Sequence, residues 1–183
     1  MRVLGIDPGF SSLGWAICEM FNRDLTASQC GVISTEKAKN KVQLRSSEDN
    51  IQRAQLIYHQ LSIILSHNDI GLICTETMSW PRNAGVVAKM GIVWGVIASV
   101  SEQLSIPMLQ SSPIEIKKAL AGHGKAGKDE MVDAVKNKFP NLILPPQTTL
   151  QEHCADAVGA VMACQRTQLM RIVGLMEHNP YDG

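Results

Sequence analysis

A chain of 183 residues with 45% apolar and only 4% aromatic content predicts one domain with an aliphatic core, and nothing in it suggests disorder. Five cysteines without a C-x-x-C pair exclude a disulfide framework or a zinc site and read as reduced thiols of a cytoplasmic protein. Seventeen basic residues balance seventeen acidic ones, where nucleic-acid binders are usually basic, so any polyanion site must come from charge distribution.

The chain opens M-R-V-L-G-I-D-P-G-F-S-S-L-G. Val3 to Ile6 form an apolar run that delivers Asp7 into a turn made by Pro8 and Gly9. The chain then returns through Leu13 to Cys18. A strand that ends on Asp and doubles back leaves the carboxylate at the mouth of a sheet. A lone buried carboxylate is costly, so Asp7 reads as a metal ligand or phosphate-proximal acid. Residues 2–7, 12–19 and 27–34 predict three strands in an antiparallel meander. Asp7 interrupts the only N-terminal apolar run, and no unbroken apolar stretch reaches ~18 residues, so neither a signal peptide nor a membrane span is expected.

Lys37, Lys39, Lys41 and Arg45 make a basic connection. A helix follows over about 48–66, where Ile51, Ala54, Ile57, Leu61 and Leu65 recur at helical spacing. Ser47 is the expected N-cap, with Glu48 and Asp49 in the first turn. The next strand, 71–76, also ends on a carboxylate, Glu76. A helix over 84–104 carries a stripe of Ala84, Ala88, Gly91, Gly95 and Ala98, suited first to close packing within the chain and second to a dimer contact. A short strand at 106–110 precedes a helix that opens with the capping box Ser112-Pro-Ile-Glu115 and stops near Gly122. Helices over 127–139 and 150–168 close the fold, separated by Pro145-Pro146. Lys117, Lys118, Lys125 and Lys128 fall within twelve residues that hold no acid. This order describes an α/β domain over residues 1–170 with a tail at 171–183. Its mixed five-stranded sheet, an antiparallel meander plus parallel strands, is flanked by helices.

The last helix completes a constellation. His153 and Asp156 are three apart and share one helix face, while Ala155, Ala157 and Gly159 keep the helix slim enough to approach the strand ends. Glu152 points roughly 100° away and is assigned to solvent or a supporting position. Cys154, between the ligands, is assigned to the core. Asp7, Glu76, His153 and Asp156 thus form a candidate site of three carboxylates and one imidazole. Acids so grouped need a counter-charge. Hard oxygen donors suit Mg²⁺ or Mn²⁺, and two such ions about 4 Å apart would clamp in-line attack on a phosphodiester. Two Mg²⁺ would move the net charge from zero to plus four.

I-D-P-G-x-x-x-x-G, a strand ending in Glu and a C-terminal helix with [D/H]-x-x-D together resemble the RuvC-type Holliday junction resolvases of the ribonuclease-H-like superfamily. The resemblance covers nearly the whole chain. It implies a ribonuclease-H-like fold and a homodimer that cuts four-way DNA junctions by paired nicks, leaving 5′-phosphate and 3′-hydroxyl ends. It also implies that Asp7 bridges two metals, Glu76 holds one, and His153 with Asp156 holds the other. Many relatives carry Asp where His153 stands, and the softer imidazole implies good tolerance of Mn²⁺ and weak activity once acid protonates it. Ser79 occupies the family's usual aromatic wedge position, with Trp80 beside it as the candidate for stacking at the junction. Arg82 could reach phosphate. The segment with Lys117, Lys118, Lys125 and Lys128 matches the family's basic DNA surface, Lys117 and Lys128 standing at its functional lysines. The alternative is a ribonuclease-H-like nuclease acting on other branched DNA or on RNA. An actin- or sugar-kinase-like phosphotransfer domain would need a second Gly-rich loop, and intact ligands oppose a silent DNA-binding module. The resemblance leaves a partner in branch migration unassigned.

Overall fold

The computed structural model describes residues 1–21, 24–35, 45–78 and 82–165. Five strands, β1 (Arg2–Asp7), β2 (Ser12–Phe21), β3 (Asp24–Ser34), β4 (Ile70–Glu76) and β5 (Met108–Ser111), form one sheet in the order β3-β2-β1-β4-β5. The first three make an antiparallel meander, β4 joins β1 in parallel, and β5 joins β4 in parallel. Ile6 is paired with Thr75 across the β1–β4 ladder, so the next residue of each strand is a carboxylate. Asp7 and Glu76 therefore stand side by side at the same end of the sheet.

Strand alternation decides which way they face. Leu4, Ile6 and Ile73 pack beneath α1 (Ser46–His67) and α2 (Ala84–Gln103) on one face. Val3, Leu72 and Cys74 pack on the other, against α3 (Pro113–Ala121), α4 (Lys128–Lys138) and α5 (Thr148–Cys164). Asp7 shares the parity of Val3, and Glu76 that of Leu72 and Cys74. Both carboxylates are thereby aimed to the side of α5.

That helix reaches all five strands and is buried along most of its length. It can lie so close because two strand positions have no side chain. A Cβ built on Gly5 would stand 2.0 Å from the Ala157 carbonyl oxygen, and one on Gly14 would stand 2.3 Å from the His153 carbonyl oxygen. The small residues of α5 were legible as a requirement for closeness, and Gly5 and Gly14 are the other half of it.

Several expectations are corrected. Helix α1 starts at Ser46 with Arg45 as its cap residue, whose backbone N–H donates to the Glu48 carboxylate (2.9 Å). Ser47 is therefore inside the first turn and is not the N-cap. Among the described residues the stripe on α2 is left unpacked, for a Cβ on Gly91 or Gly95 would meet nothing there within 4 Å. Val93, Ile97 and Val100 turn to the core instead. Helix α2 reaches a mean hydropathy of 1.6 over an 18-residue window, a length and composition that core helices of soluble proteins also reach, so the expectation of no membrane span is not among those overturned. The basic residues Lys37, Lys39 and Lys41, the end of the last predicted helix and the 170/171 boundary lie outside the described residues.

The backbone contact makes a sharp prediction. Gly5→Ala or Gly14→Ala forces α5 away from the sheet and should cost about 2 kcal/mol or more, as overpacking does, read as a lowered denaturant midpoint. Gly91→Ala, in open space, should not lower it.

Candidate active site

Four side chains from three elements meet at the carboxyl ends of β1 and β4. Asp7 closes β1 and Glu76 closes β4, while His153 and Asp156 come from the first turns of α5. The His153 Nδ1 lies 2.6 Å from the Asp7 Oδ2, a hydrogen bond across 146 residues of sequence. The Asp7 side chain is 16% exposed and the His153 side chain 34%.

The electrostatics are those of too much negative charge in too little water. Burial, then repulsion from Asp7 and Asp156, pushes the Glu76 carboxyl up to about 7, with Lys117 opposing. Burial followed by Asp7 raises Asp156 to about 6, opposed by His153, Lys117 and Lys128. His153 is raised too, by its hydrogen bond to Asp7 and against its own burial. Acid therefore competes for the imidazole more strongly than for a free histidine, which strengthens the expected loss of activity at low pH.

Among the described residues, no three His, Cys, Asp or Glu side chains stand in a ready-made metal shell. Asp7 is turned onto the imidazole, the one ring there able to carry positive charge. Three carboxylates, two of them with proton affinity raised by burial and repulsion, still make a donor set that suits a hard divalent cation and lacks only its charge.

The turn that follows Asp7 is clamped by a residue the linear pattern did not single out. The buried stripe of α1 runs Asp49, Arg53, Ile57, Leu61, Leu65 at steps of four, so a charged pair continues an apolar seam. Arg53 donates through Nε to Thr35 Oγ1 (2.9 Å) and through Nη2 to Ser11 Oγ (2.9 Å). Its guanidinium lies 4.1 Å from the centre of the Phe10 ring, and Asp49 balances its charge at 3.6 Å. One buried arginine thus ties the β1–β2 turn to α1 and to the end of β3. The signal was present in the sequence, because a charge on a strictly four-residue apolar repeat calls for an internal partner.

The basic residues divide. Lys117 is half-buried and acts electrostatically on Glu76 and Asp156, and Lys128 acts on His153 and Asp156. Lys118, Lys125 and Arg82 are exposed and, among the described residues, take no part in the interactions around Asp7, Glu76, His153 and Asp156. Ser79 and Trp80 lie outside the described residues. Glu152 is engaged rather than solvated, its Oε2 2.5 Å from Lys128 Nζ. Cys154 is buried with its thiol directed to the Gly31 carbonyl (3.6 Å), and all five cysteines are free.

The chain is similar, in sequence and in fold, to proteins of one family. The sequence model of the family described as crossover junction endodeoxyribonuclease RuvC matches residues 3–164. The protein of that name from Prochlorococcus marinus (strain MIT 9312) is 35% identical over 165 residues, covering 88% of this chain and 94% of the relative. That from Synechococcus sp. (strain WH7803) is 29% identical over 162 residues, covering 88% and 96%. In fold, the chain is similar to Thermus thermophilus RuvC in complex with its Holliday junction substrate, with a TM-score of 0.73, 22% identity, and 95% and 97% of the two chains covered.

The raised pKa values fix a sign for stability. Glu76 and Asp156 hold protons in the folded chain that the unfolded chain has released, so stability falls as pH climbs from about 4.5 to about 7. His153 adds in the same direction: the stability it contributes is full below its unfolded value and is lost as pH rises through its folded one. Thermal melts in a chelator should therefore decline over this window. Added Mg²⁺ or Mn²⁺ should raise Tm more at about pH 8 than at about pH 5.5, because the cation replaces protons already gone.

Proposed function

The chain belongs to the RuvC family of crossover junction endodeoxyribonucleases, and from that membership we propose how its own residues resolve a four-way DNA junction. It is a metal-dependent endonuclease that acts on Holliday junctions by phosphodiester hydrolysis, leaving 5′-phosphate and 3′-hydroxyl ends. The observation that carries the assignment of residues is the meeting of Asp7 with His153 from opposite ends of the sequence, with Glu76 and Asp156 close enough to Asp7 to feel its charge.

In this reading Asp7, Glu76, His153 and Asp156 would together hold two Mg²⁺ ions, for which Mn²⁺ would substitute. When bound, the ions supply an activated water and a stabilised leaving oxygen. The protein's part is to hold four donors on two strand ends and one helix, so that little has to be ordered at the moment of reaction. A bound cation would compete with the His153 imidazole for Asp7, and with protons for Glu76 and Asp156, whose carboxyls burial raises. Lys117 and Lys128 neutralise the phosphate backbone beside the site, and Lys118, Lys125 and Arg82 extend that contact. The loop with Ser79 and Trp80 is assigned to the opened junction centre. Residues 1–170 form the catalytic domain, 171–183 its tail, and the cytoplasm is the place of action, in keeping with five free thiols.

Paired nicks across a two-fold junction call for two opposed sites, and α2 supplies a surface for a second copy. Among the described residues, only 17% of its apolar span is buried, Val86 is 44% exposed, and Gly91 and Gly95 face open space. Such a face is what a self-complementary helix contact requires.

Two measurements test this. On a synthetic four-way junction with Mg²⁺, Asp7→Asn should retain binding and lose more than the ~100-fold that removal of a mere supporting partner costs. His153→Ala should cleave slowly, and wild-type rates from it would remove His153 from the ligand set. Flap, duplex and RNA–DNA hybrid substrates run beside the junction report selectivity. Separately, Gly91→Arg should leave the chain folded, convert a dimer to a monomer in sedimentation, and uncouple the two nicks.

A further inference from the structure

Glu152 lies one residue before the ligand His153 and is not itself turned to Asp7. Its side chain is 18% exposed, and its Oε2 takes the ammonium of Lys128, the first residue of α4, at 2.5 Å. The lysine is 75% exposed along its side chain, so it is a solvent-accessible cation held by a sheltered anion. Both residues line a cavity of about 190 Å³ together with Lys117 and Asp156, at the edge of the acidic site. Its two ammonium groups, Lys117 and Lys128, are what a phosphodiester would seek there. One of them is already satisfied by a carboxylate, which offers the same anionic oxygens as a phosphate.

We propose that Glu152 is an internal stand-in for a DNA phosphate: it holds Lys128 beside the active site in the DNA-free protein, and the junction backbone must displace it to bind. The inference rests on the junction-resolving role given above, in which Lys128 meets the DNA. Glu152 is then a positioning residue that keeps the lysine near the site and sets how tightly the junction is held. Exchange of Lys128 from Glu152 to phosphate releases a cation from the DNA, but leaves Glu152 to take one up. The pair therefore adds little to the salt dependence of binding, whereas a lone Lys128 would add a full contact.

The test is the dissociation constant of a labelled four-way junction for the full chain in a chelating buffer, measured across a salt series. Glu152→Gln should bind several-fold more tightly at low salt, with a log Kd against log salt slope steeper by about one. Lys128→Ala should bind more weakly than wild type. Combining the two substitutions should abolish both gains of Glu152→Gln, which separates release of Lys128 from a general change in surface charge. An unchanged Kd and slope for Glu152→Gln overturns the inference, as does a gain that persists when Lys128 is Ala. If Lys128→Ala alone leaves binding unchanged, its DNA contact fails and the inference with it. No junction binding by the wild-type chain would overturn the functional reading as well.

Discussion

Everything at this site depends on one contact without side chains. Helix α5 lies on β1 and β2 with the Ala157 and His153 carbonyls against Gly5 and Gly14, where any Cβ would overlap. Two of the four proposed ligands ride on that helix, and the other two end the central strands. Their meeting is a matter of how closely a helix axis approaches a sheet plane. A methyl group at either glycine would push the halves apart by about 1 Å or more, so the packing and the chemistry are one constraint.

The remaining architecture serves the same end. Parity along β1 and β4 sends Asp7 and Glu76 to the α5 face, while their neighbours Ile6 and Thr75 stay buried in the sheet. Arg53 fastens the turn after Asp7 from the opposite face, using hydrogen bonds to Thr35 and Ser11 and a stacked Phe10 ring. A buried guanidinium would be a liability without Asp49 beside it; with the pair complete, it makes the turn rigid. The chain's overall neutrality also becomes intelligible. Asp7, Glu76 and Asp156 are grouped at one end of the sheet with Lys117 and Lys128 beside them, so a balanced total coexists with a sharp local division of charge.

The fold was legible because its signals are local. Apolar alternation gave the strands, four-residue spacing gave the helices, and Ser112 with Glu115 marked the start of α3, where the structure shows the same reciprocal cap. The candidate site was legible because its residues end strands or share a helix face. What escaped a linear reading was relational. Gly5 and Gly14 look like ordinary strand glycines until a helix is laid on them. Ser47 looked like a cap because its side chain type suits one, but Glu48 satisfies the backbone one turn earlier. The α2 stripe was assigned inward because small residues pack closely, yet the buried face was chosen by Val93, Ile97 and Val100, larger and therefore worth more when removed from water. Glu152 was set aside on helical angle alone, which says where a side chain starts and not what reaches it from α4.

Main chain resting on main chain leaves no slack. A helix that already touches its sheet cannot slide inward to suit a smaller ion or outward to suit a larger one without giving up its seat. The backbone of residue 153 is pinned by Gly14, but its side chain projects into the open end of the site. Adaptation of such a centre therefore proceeds by spelling, through the exchange of one donor atom for another at a fixed address, and an imidazole in place of a carboxylate is a change of that kind.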